Sequence, residues 1–414
     1  MNHSRLLGIL SVLMLGLLLG CGGASEEEGP VRIRIWHQKT DAERALFEQI
    51  VEEYNASHPD RKVEILYRET EELRNLFVIA SIAGKGPEII FGPSDNVGLF
   101  VVTQTILPLD TLFDKTFFAR FTPDGLVRWK GHTWLAADQV GNHLALVYNR
   151  DLLPVPPDTS DELIRVGQQL TVDENGDGRI DRYALTWNYT EPFFFIPFLT
   201  GFGGWVMDEE GNPTLDTPET VRAIQFILDL RDKYRIIPRE SDYNVAETLF
   251  KEGRAAMIIN GPWAWAGYGK AGIPYMVHTL PVIKETGLHC APMVSAKGYA
   301  INASIAPEKL PYAREVIDYL TSAEVQLRMA RELATIPVHP EVLQNPELLK
   351  NPILQASIRQ ARLGKPMPII PQMRMIWDGM RGPYQLVMNG AVSAEEGARL
   401  MQKNAEKLIA EMFL

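Results

Sequence analysis

The chain alternates short strand-like segments with amphipathic helical segments from about residue 31 onward. The segments "VRIRIW" (31–36) and "KVEILY" (62–67) are apolar runs with polar alternation, which predicts two strands. Between them, "DAERALFEQIVEEYNAS" (41–57) repeats its apolar residues at helical spacing and predicts an amphipathic helix. A further helix, "ELRNLFVIASIAGKG", leads to the short buried strand "PEIIFG". This order indicates parallel strands joined by crossover helices.

The same alternation continues towards the C-terminus. "HLALVYNRDLLP" (143–154) contains a buried strand, "NVAETLFKEG" predicts a helix, and "AAMIIN" (255–260) predicts another strand. Residues 31–414 are too many for one ordinary hydrophobic core, so two α/β lobes are expected. Ligands of such sheets bind beyond the carboxyl ends of the strands, so the loops after "RIRIW", "EIIFG" and "MIIN" are predicted to line one site.

Two later helices carry signals for their first turns. The segment 217–238 begins with Thr217 as a predicted N-cap. Its buried stripe is predicted to comprise Val221, Ile224 and Leu228. The last helix is predicted to begin at a capping box formed by Ser393 and Glu396.

The N-terminus predicts export. Arg5 gives a positive start and residues 6–20 are apolar, but this stretch is too short for a membrane span. The order "LLLGC" resembles the bacterial lipoprotein signal, in which Cys21 is lipidated; an ordinary signal peptide with a chance cysteine is the alternative. Residues 21–30, rich in Gly, Ser and Glu, are predicted to form a flexible tether. We expect an exported lipoprotein that is anchored to a membrane and faces the periplasm or cell exterior.

Charge and cysteine content narrow the choice of partners. The formal net charge is −11, which argues against nucleic acid and against peripheral binding to anionic lipid. An uncharged small molecule remains compatible, and a monomer is expected. After removal of the signal only Cys290 accompanies Cys21, so no internal disulfide is expected, and "GLHCAPM" predicts a buried, inert thiol.

Five segments, in the same order, resemble the bacterial maltose/maltodextrin-binding proteins, which are solute receptors of ATP-driven (ABC) importers. The resemblance runs with gaps over nearly all of residues 31–414. The five segments are "GPEIIFGPSD" (86–95), "LALVYNRDLLPVPP" (144–157), "TEPFFFIPFLTGFGG" (190–204), "SDYNVAETLFKEGRAAMIINGPWAW" (241–265) and "MPIIPQMRMIW" (367–377).

The resemblance implies an α/β, two-lobed periplasmic-binding-protein fold. Each lobe would be a mainly parallel sheet flanked by helices, with a hinge between the lobes and the ligand cleft at their interface. Lobe one would comprise residues 31–141 and 294–340, and lobe two would comprise residues 145–290 and 345–414. The hinge would lie near residues 142–144, 291–293 and 341–344. Such lobes close around a ligand by hinge motion.

The resemblance also implies which side chains bind the ligand. An aromatic platform for sugar rings would consist of Phe193, Trp263 and Trp377, with core packing as the alternative; Trp265 is expected to pack in the core. The hydroxyl-binding matches are Asp95 and Glu191, for which a helix N-cap and a solvated loop acid are the alternatives. Arg381 is a weaker match, with a salt bridge as its alternative, and Tyr243 could line the cleft or pack.

The first-lobe residues depart from the family pattern. The polar set after the first strand becomes "HQKTD", which places Gln38, Thr40 and Asp41 near the site. A family tryptophan after the "PEIIF"-like strand is replaced by Gly92, and an acid near the hinge is replaced by Asn142. Side chains that hydrogen-bond the sugar hydroxyls set specificity, because a sugar that lacks the matching hydroxyl leaves a buried polar group unpaired. The ligand could therefore be maltose, another α-glucoside or a different sugar.

A second motif suggests calcium. "DENGDGRIDRYA" (173–184) spaces Asp173, Asn175, Asp177 and Asp181 like a calcium loop, with Gly178 at the sharp turn. The twelfth position is Ala184 instead of a bidentate Glu, so the site is incomplete unless a distant carboxylate completes it. A polar turn is the alternative. The resemblance requires neither metal nor cofactor.

Three classes of function remain open at this stage. The first is a non-catalytic sugar receptor of an importer, which would dock on transmembrane permease subunits. The second is a glycoside-processing enzyme in which Asp95 and Glu191 act as paired acids. The third is a receptor of the same fold for another solute, such as a different oligosaccharide, a polyol, a polyamine or a peptide.

Overall fold

Two larger β-sheets, accompanied by two small two-stranded sheets, organise the chain in the computed structural model, which describes residues 29–412. The predicted signal segment, Cys21 and most of the predicted tether lie outside the described residues. The strands are β1 (Val31–His37), β2 (Arg61–Tyr67), β3 (Ile89–Pro93), β4 (Leu126–Trp129), β5 (His132–Val140), β6 (Ala145–Asn149), β7 (Tyr183–Thr186), β8 (Ala255–Asn260), β9 (Tyr275–His278), β10 (Val282–Ile283), β11 (Leu288–His289), β12 (Met293–Val294), β13 (Ala296–Ile301) and β14 (Lys365–Pro366).

Helices surround both sheets. They are α1 (Asp41–Ser57), α2 (Thr70–Ile82), α3 (Asn96–Val102), α4 (Lys115–Phe118), α5 (Ser160–Leu170), α6 (Pro192–Gly201), α7 (Pro218–Leu228), α8 (Tyr243–Lys251), α9 (Pro262–Lys270), α10 (Leu310–Leu320), α11 (Ala323–Leu333), α12 (Pro340–Leu343), α13 (Pro346–Leu349), α14 (Pro352–Leu363), α15 (Gln372–Met388) and α16 (Ala394–Met412). Among the described residues, none of these helices is long and apolar enough to cross a bilayer.

Strand directions correct one part of the prediction. The first sheet has the order β2-β1-β3-β13-β5-β4, in which β1 pairs parallel with β2 and β3, as predicted, while β13, β5 and β4 pair antiparallel. In the second sheet, β7-β8-β6-β9, the β7–β8 pair is parallel and the other two pairs are antiparallel. The prediction of mainly parallel sheets is therefore wrong. The central strand β13 joins the first sheet from a distant part of the chain, so its direction is not set by a crossover helix.

Each sheet has its own hydrophobic core, and the two cores define the lobes used below. The first lobe buries residues of β1, β3 and α1, such as Ile35, Phe91 and Leu46, together with α10 and α11. The second lobe buries Trp187 and Phe195 with residues of α15 and α16. The α/β two-lobed architecture is thus confirmed.

The chain passes between the sheets along neighbouring segments. The backbone N–H groups of Gly141 and Asn142 both donate to the carbonyl of Ser295, at 3.0 and 3.1 Å. Beside them, the N–H of Val140 donates to the carbonyl of Ile336 at 3.0 Å. The crossing segments are therefore hydrogen-bonded to one another. The lobe and hinge boundaries given above stay predictions.

A buried group of four charges joins the loop after β1 and the first turn of α1 to strands β5 and β13 of the first lobe. The ammonium of Lys39 is 3.1 Å from Asp138 and 3.2 Å from Glu43, and Lys297 is 3.1 Å from Glu43. All four side chains are at most 7% exposed. Equal numbers of acids and bases offset part of the cost of burying these charges, although burial raises the pKa of Asp138. Sequence patterns did not indicate it.

The first turns of α7 and α16 confirm part of what their sequences predict. The hydroxyl of Thr217 accepts from the N–H of Thr220, as an N-cap does. The buried stripe is made of Thr220, Ala223, Ile224 and Ile227, so Val221 and Leu228, which are only partly buried, flank it. At the last helix Ser393 caps the N–H of Glu396, but the Glu396 carboxylate bonds Arg399, so only half of the predicted capping box forms among the described residues.

Candidate functional site

Three aromatic rings from distant segments meet at the face of the second lobe. Phe193 and Trp263 stand at the second positions of α6 and α9, each after a proline that suits the first helical turn. The Phe193 ring centroid lies 6.4 Å from that of Trp263 and 6.3 Å from that of Trp377. Trp377 is 5% exposed, while Phe193 and Trp263 are partly exposed. The predicted aromatic platform is therefore brought together, although its role in binding stays a prediction.

The loop after β8 explains why Trp263 and Trp265 differ. A side chain at Gly261 would collide with the Trp263 ring, so glycine allows the indole to fold directly over the backbone. Trp265 is 0% exposed and its Nε1 donates to the carbonyl of Asn260 at 3.3 Å. Core packing of Trp265 is confirmed, whereas Trp263 keeps part of its surface accessible.

Glu191 and Arg381 bind each other beside the platform. Arg381 Nη2 and Nε lie 3.0 and 3.1 Å from the two carboxylate oxygens of Glu191, which makes a bidentate pair. Burial raises the pKa of Glu191, although the Arg381 guanidinium opposes that rise. The salt-bridge alternative for Arg381 is thus realised, and Glu191 is not a solvated loop acid. A ligand would meet this pair as one preassembled unit.

Asp95 stands at the N-cap position of α3 but does not cap it, since no side-chain cap bond forms within residues 29–412. Its Oδ1 is buried and has no hydrogen-bond partner among the described residues. Burial raises the pKa of Asp95, with Arg74 and Arg374 acting in the opposite direction. A buried carboxylate oxygen without a partner is costly, so it is suited to accept a hydrogen bond from a ligand hydroxyl.

The remaining predicted residues lie on the loops that follow strands. Gln38 follows β1, and its Oε1 is also buried without a partner in the described part of the chain. Asp41 opens α1 with φ +45°, a strained region in which Asp is enriched. Asn142 lies in the crossing segment. Tyr243 opens α8, and burial raises its pKa, with Asp41 among the charges that contribute. Within residues 29–412, no hydrogen bond joins Gln38 or Asn142 to the aromatic platform.

Sequence patterns missed a set of charged side chains around Arg381. Glu71 on α2 accepts from Arg74 and from Arg374, at 2.7 and 2.6 Å, and Arg374 also bonds Asp378. Glu71 and Arg374 are 303 residues apart in sequence. No local spacing rule joins such a pair, so only the fold shows it.

The predicted calcium loop is folded onto its own backbone. Asp173 accepts N–H bonds from Gly176 and Gly178, both at 2.8 Å, and Asp181 accepts from Glu174 at 2.7 Å. No group of three acidic, histidine or cysteine side chains among residues 29–412 could hold a metal ion. In this conformation the loop does not fit calcium, and calcium binding stays an untested prediction.

Comparisons with known proteins agree with this architecture. The chain is 28% identical over 390 residues to the maltotriose-binding protein of Pyrococcus abyssi, covering 93% of this chain and 83% of that protein. It is 24% identical over 336 residues to a maltooligosaccharide ABC transporter solute-binding lipoprotein of Streptococcus pneumoniae, covering 80% and 77% of the two chains.

A solved structure gives the same result at higher identity. The maltose/maltodextrin-binding domain from Bdellovibrio bacteriovorus bound to maltotriose is 40% identical, with a TM-score of 0.89, over 92% of this chain and 100% of that one. A profile described as bacterial extracellular solute-binding protein matches residues 39–327. The chain therefore belongs to the bacterial extracellular solute-binding protein family.

Proposed function

We propose that this protein captures a malto-oligosaccharide, with maltotriose as the first ligand to test, and delivers it to an ABC importer. The observation that carries the proposal is the convergence of Phe193, Trp263 and Trp377 beside the Glu191–Arg381 pair. Aromatic planes suit the apolar faces of sugar rings, and fixed charges suit their hydroxyl edges. The names of the relatives in Pyrococcus abyssi and Bdellovibrio bacteriovorus support maltotriose. The family consists of solute-binding proteins, so the enzyme alternative is set aside.

The mechanism follows from how the residues are divided. The platform belongs to the second lobe, whereas Gln38, Asp41 and Asp95 belong to the first. Sugar bound on the platform would bring hydroxyls to first-lobe acceptors only when the lobes close. One such acceptor is the Asp95 Oδ1, which has no hydrogen-bond partner within residues 29–412. A ligand favours the closed form by as much as it binds that form better. The closed form would then dock on the permease.

Three further parts of the proposal concern the cell. Lipidation of Cys21 would anchor the protein to a membrane, and the description of the Streptococcus pneumoniae relative as a lipoprotein supports it. The protein would act as a monomer that faces the periplasm or cell exterior. The permease subunits would be its macromolecular partner.

A melting screen with a ligand panel tests the proposal. A ligand that binds only the folded protein raises the free energy of unfolding, and therefore the melting temperature. At a free ligand concentration 100 times the dissociation constant, the added stability is about 2.7 kcal/mol. Maltose, maltotriose, maltotetraose, a galacto-oligosaccharide, a polyol and a peptide are compared. We expect the malto-oligosaccharides to give the largest shifts. A larger shift with the galacto-oligosaccharide would move the assignment to another sugar, and a shift with the peptide alone would remove the sugar proposal.

A further inference from the structure

One carboxylate on the first lobe is bonded to the second lobe. Glu71 lies on α2, and Arg374 lies at the start of α15, whose apolar residues belong to the second core. Arg374 Nη2 lies 2.6 Å from Glu71 Oε2, and its Nη1 lies 3.4 Å from Oε1. Arg381 Nη2 lies 3.6 Å from Glu71 Oε1 and 3.0 Å from Glu191 Oε1. Glu71 therefore touches both the inter-lobe contact and the predicted ligand-binding pair.

Each charged side chain of this contact also has an oppositely charged partner in its own lobe. If the lobes separate, Glu71 keeps Arg74 on its own helix, at 2.7 Å. On the other side, Arg374 keeps Asp378 and Arg381 keeps Glu191. Opening thus breaks the bonds from Glu71 to α15, but Glu71, Arg374 and Arg381 each keep an oppositely charged partner in their own lobe. Loss of every partner would be strongly destabilising for the shielded arginines. Such a contact can form and break repeatedly, as a receptor that releases its ligand requires.

The surroundings give this contact moderate strength. The side chains of Arg74 and Arg374 are 3% and 9% exposed, while that of Glu71 is 40% exposed. Close backbone packing accompanies it, because a Cβ on Gly98 of α3 would lie only 2.7 Å from the backbone nitrogen of Pro371, just before α15. Shielded arginines with a partly exposed acid place the pair between a surface ion pair and a buried one.

We propose that Glu71 is a positioning residue that latches the closed cleft by holding α15 of the second lobe through Arg374 and Arg381. This inference rests on the proposed function, because the latched form is the one that retains sugar. Since the latch lies outside the aromatic platform, its loss lowers the affinity for every sugar by the same factor. The order of sugar preference does not change, and the loss appears as faster release.

The test compares Glu71→Gln, Arg374→Gln and the double variant in the full chain. Calorimetry and stopped-flow release with maltotriose should show each single variant binding roughly fivefold to tenfold more weakly. The double variant should be no weaker than the worse single variant, since both remove one contact. Arg374→Gln leaves the Glu71–Arg74 pair intact, so this variant alone can test the latch if Glu71→Gln disturbs folding.

Glu53→Gln is the matched control. Glu53 bonds Arg328 at 2.7 Å, and both residues lie in the first lobe. This variant should bind maltotriose like the wild type. Unchanged affinity in both Glu71→Gln and Arg374→Gln would overturn the latch, and so would an equal loss in Glu53→Gln.

Scattering separates the latch from the proposed function. If the wild type binds none of the sugars, the proposed function fails, and the latch is decided by small-angle X-ray scattering of the protein without ligand. A larger radius of gyration for Glu71→Gln than for the wild type and Glu53→Gln supports the latch. Equal radii in all three proteins would overturn it.

Discussion

Replacing Trp263 by Ala tests the aromatic platform. The ring is partly buried against Phe193 and folds over Gly261, so part of its surface is left for a ligand. A fully covered tryptophan buries about 150–250 Å². If a sugar covers about 100 Å² of the ring at about 25 cal/mol per Å², the lost binding energy is about 2.5 kcal/mol, and partial coverage gives about 1 kcal/mol. We therefore expect maltotriose to bind roughly fivefold to 100-fold more weakly by titration calorimetry.

Two further variants make this result specific. Trp129→Ala removes another partly buried tryptophan at the edge of the first sheet and should leave affinity unchanged. Trp265→Ala opens a cavity in the core and should cost about 3–5 kcal/mol of unfolding free energy, measured by urea denaturation. Unchanged affinity in Trp263→Ala would refute the platform. A loss of stability in Trp263→Ala as large as that in Trp265→Ala would show that Trp263 is a core residue instead.

Three more perturbations probe the hinge, the lobe contact and the acidic loop. His143 is fully buried, and burial lowers its pKa to about 4. In the unfolded chain its pKa is about 6.5. Between these two pH values the unfolded chain binds a proton at His143, while the folded chain leaves the imidazole neutral. Stability should therefore fall as pH drops, by about 2 kcal/mol between pH 7 and pH 5 in urea unfolding, and His143→Gln should lose less. Gly98→Ala inserts a methyl group against Pro371 and should hinder closure, seen as weaker maltotriose binding at unchanged sugar preference; wild-type affinity would show that this contact yields. Calcium added after chelation should leave the melting temperature unchanged, because the Asp173 and Asp181 oxygens already accept N–H bonds; a rise that Asp173→Ala abolishes would instead establish a calcium site.

Local patterns were sufficient for several elements of the fold, among them β1, β2, β3, β6 and β8. Alternation in 31–36 and the apolar stripe in 41–57 predicted β1 and α1 at the places where they are found. Local patterns did not predict the pairing direction, because β13 (Ala296–Ile301) enters the first sheet between β3 (Ile89–Pro93) and β5 (His132–Val140) from a much later part of the chain. Side-chain periodicity is the same for parallel and antiparallel strands, so the sequence could not show it.

The sequence likewise predicted one part of the candidate site and missed another. The resemblance located Phe193, Trp263 and Trp377, and the structure brings their rings together. It treated Glu191 and Arg381 as separate candidates, although they form one ion pair. The contact of Glu71 with Arg374 had no local signal at all, since it depends on how two lobes meet.

Titration of the full chain with maltotriose by calorimetry is the most direct test of sugar capture. The structure and the family together predict saturable binding with one site per chain. The heat capacity change should be negative, because apolar ring faces are buried against the platform. No binding heat with maltotriose or with any other sugar of the panel, at any of several temperatures, would contradict sugar capture.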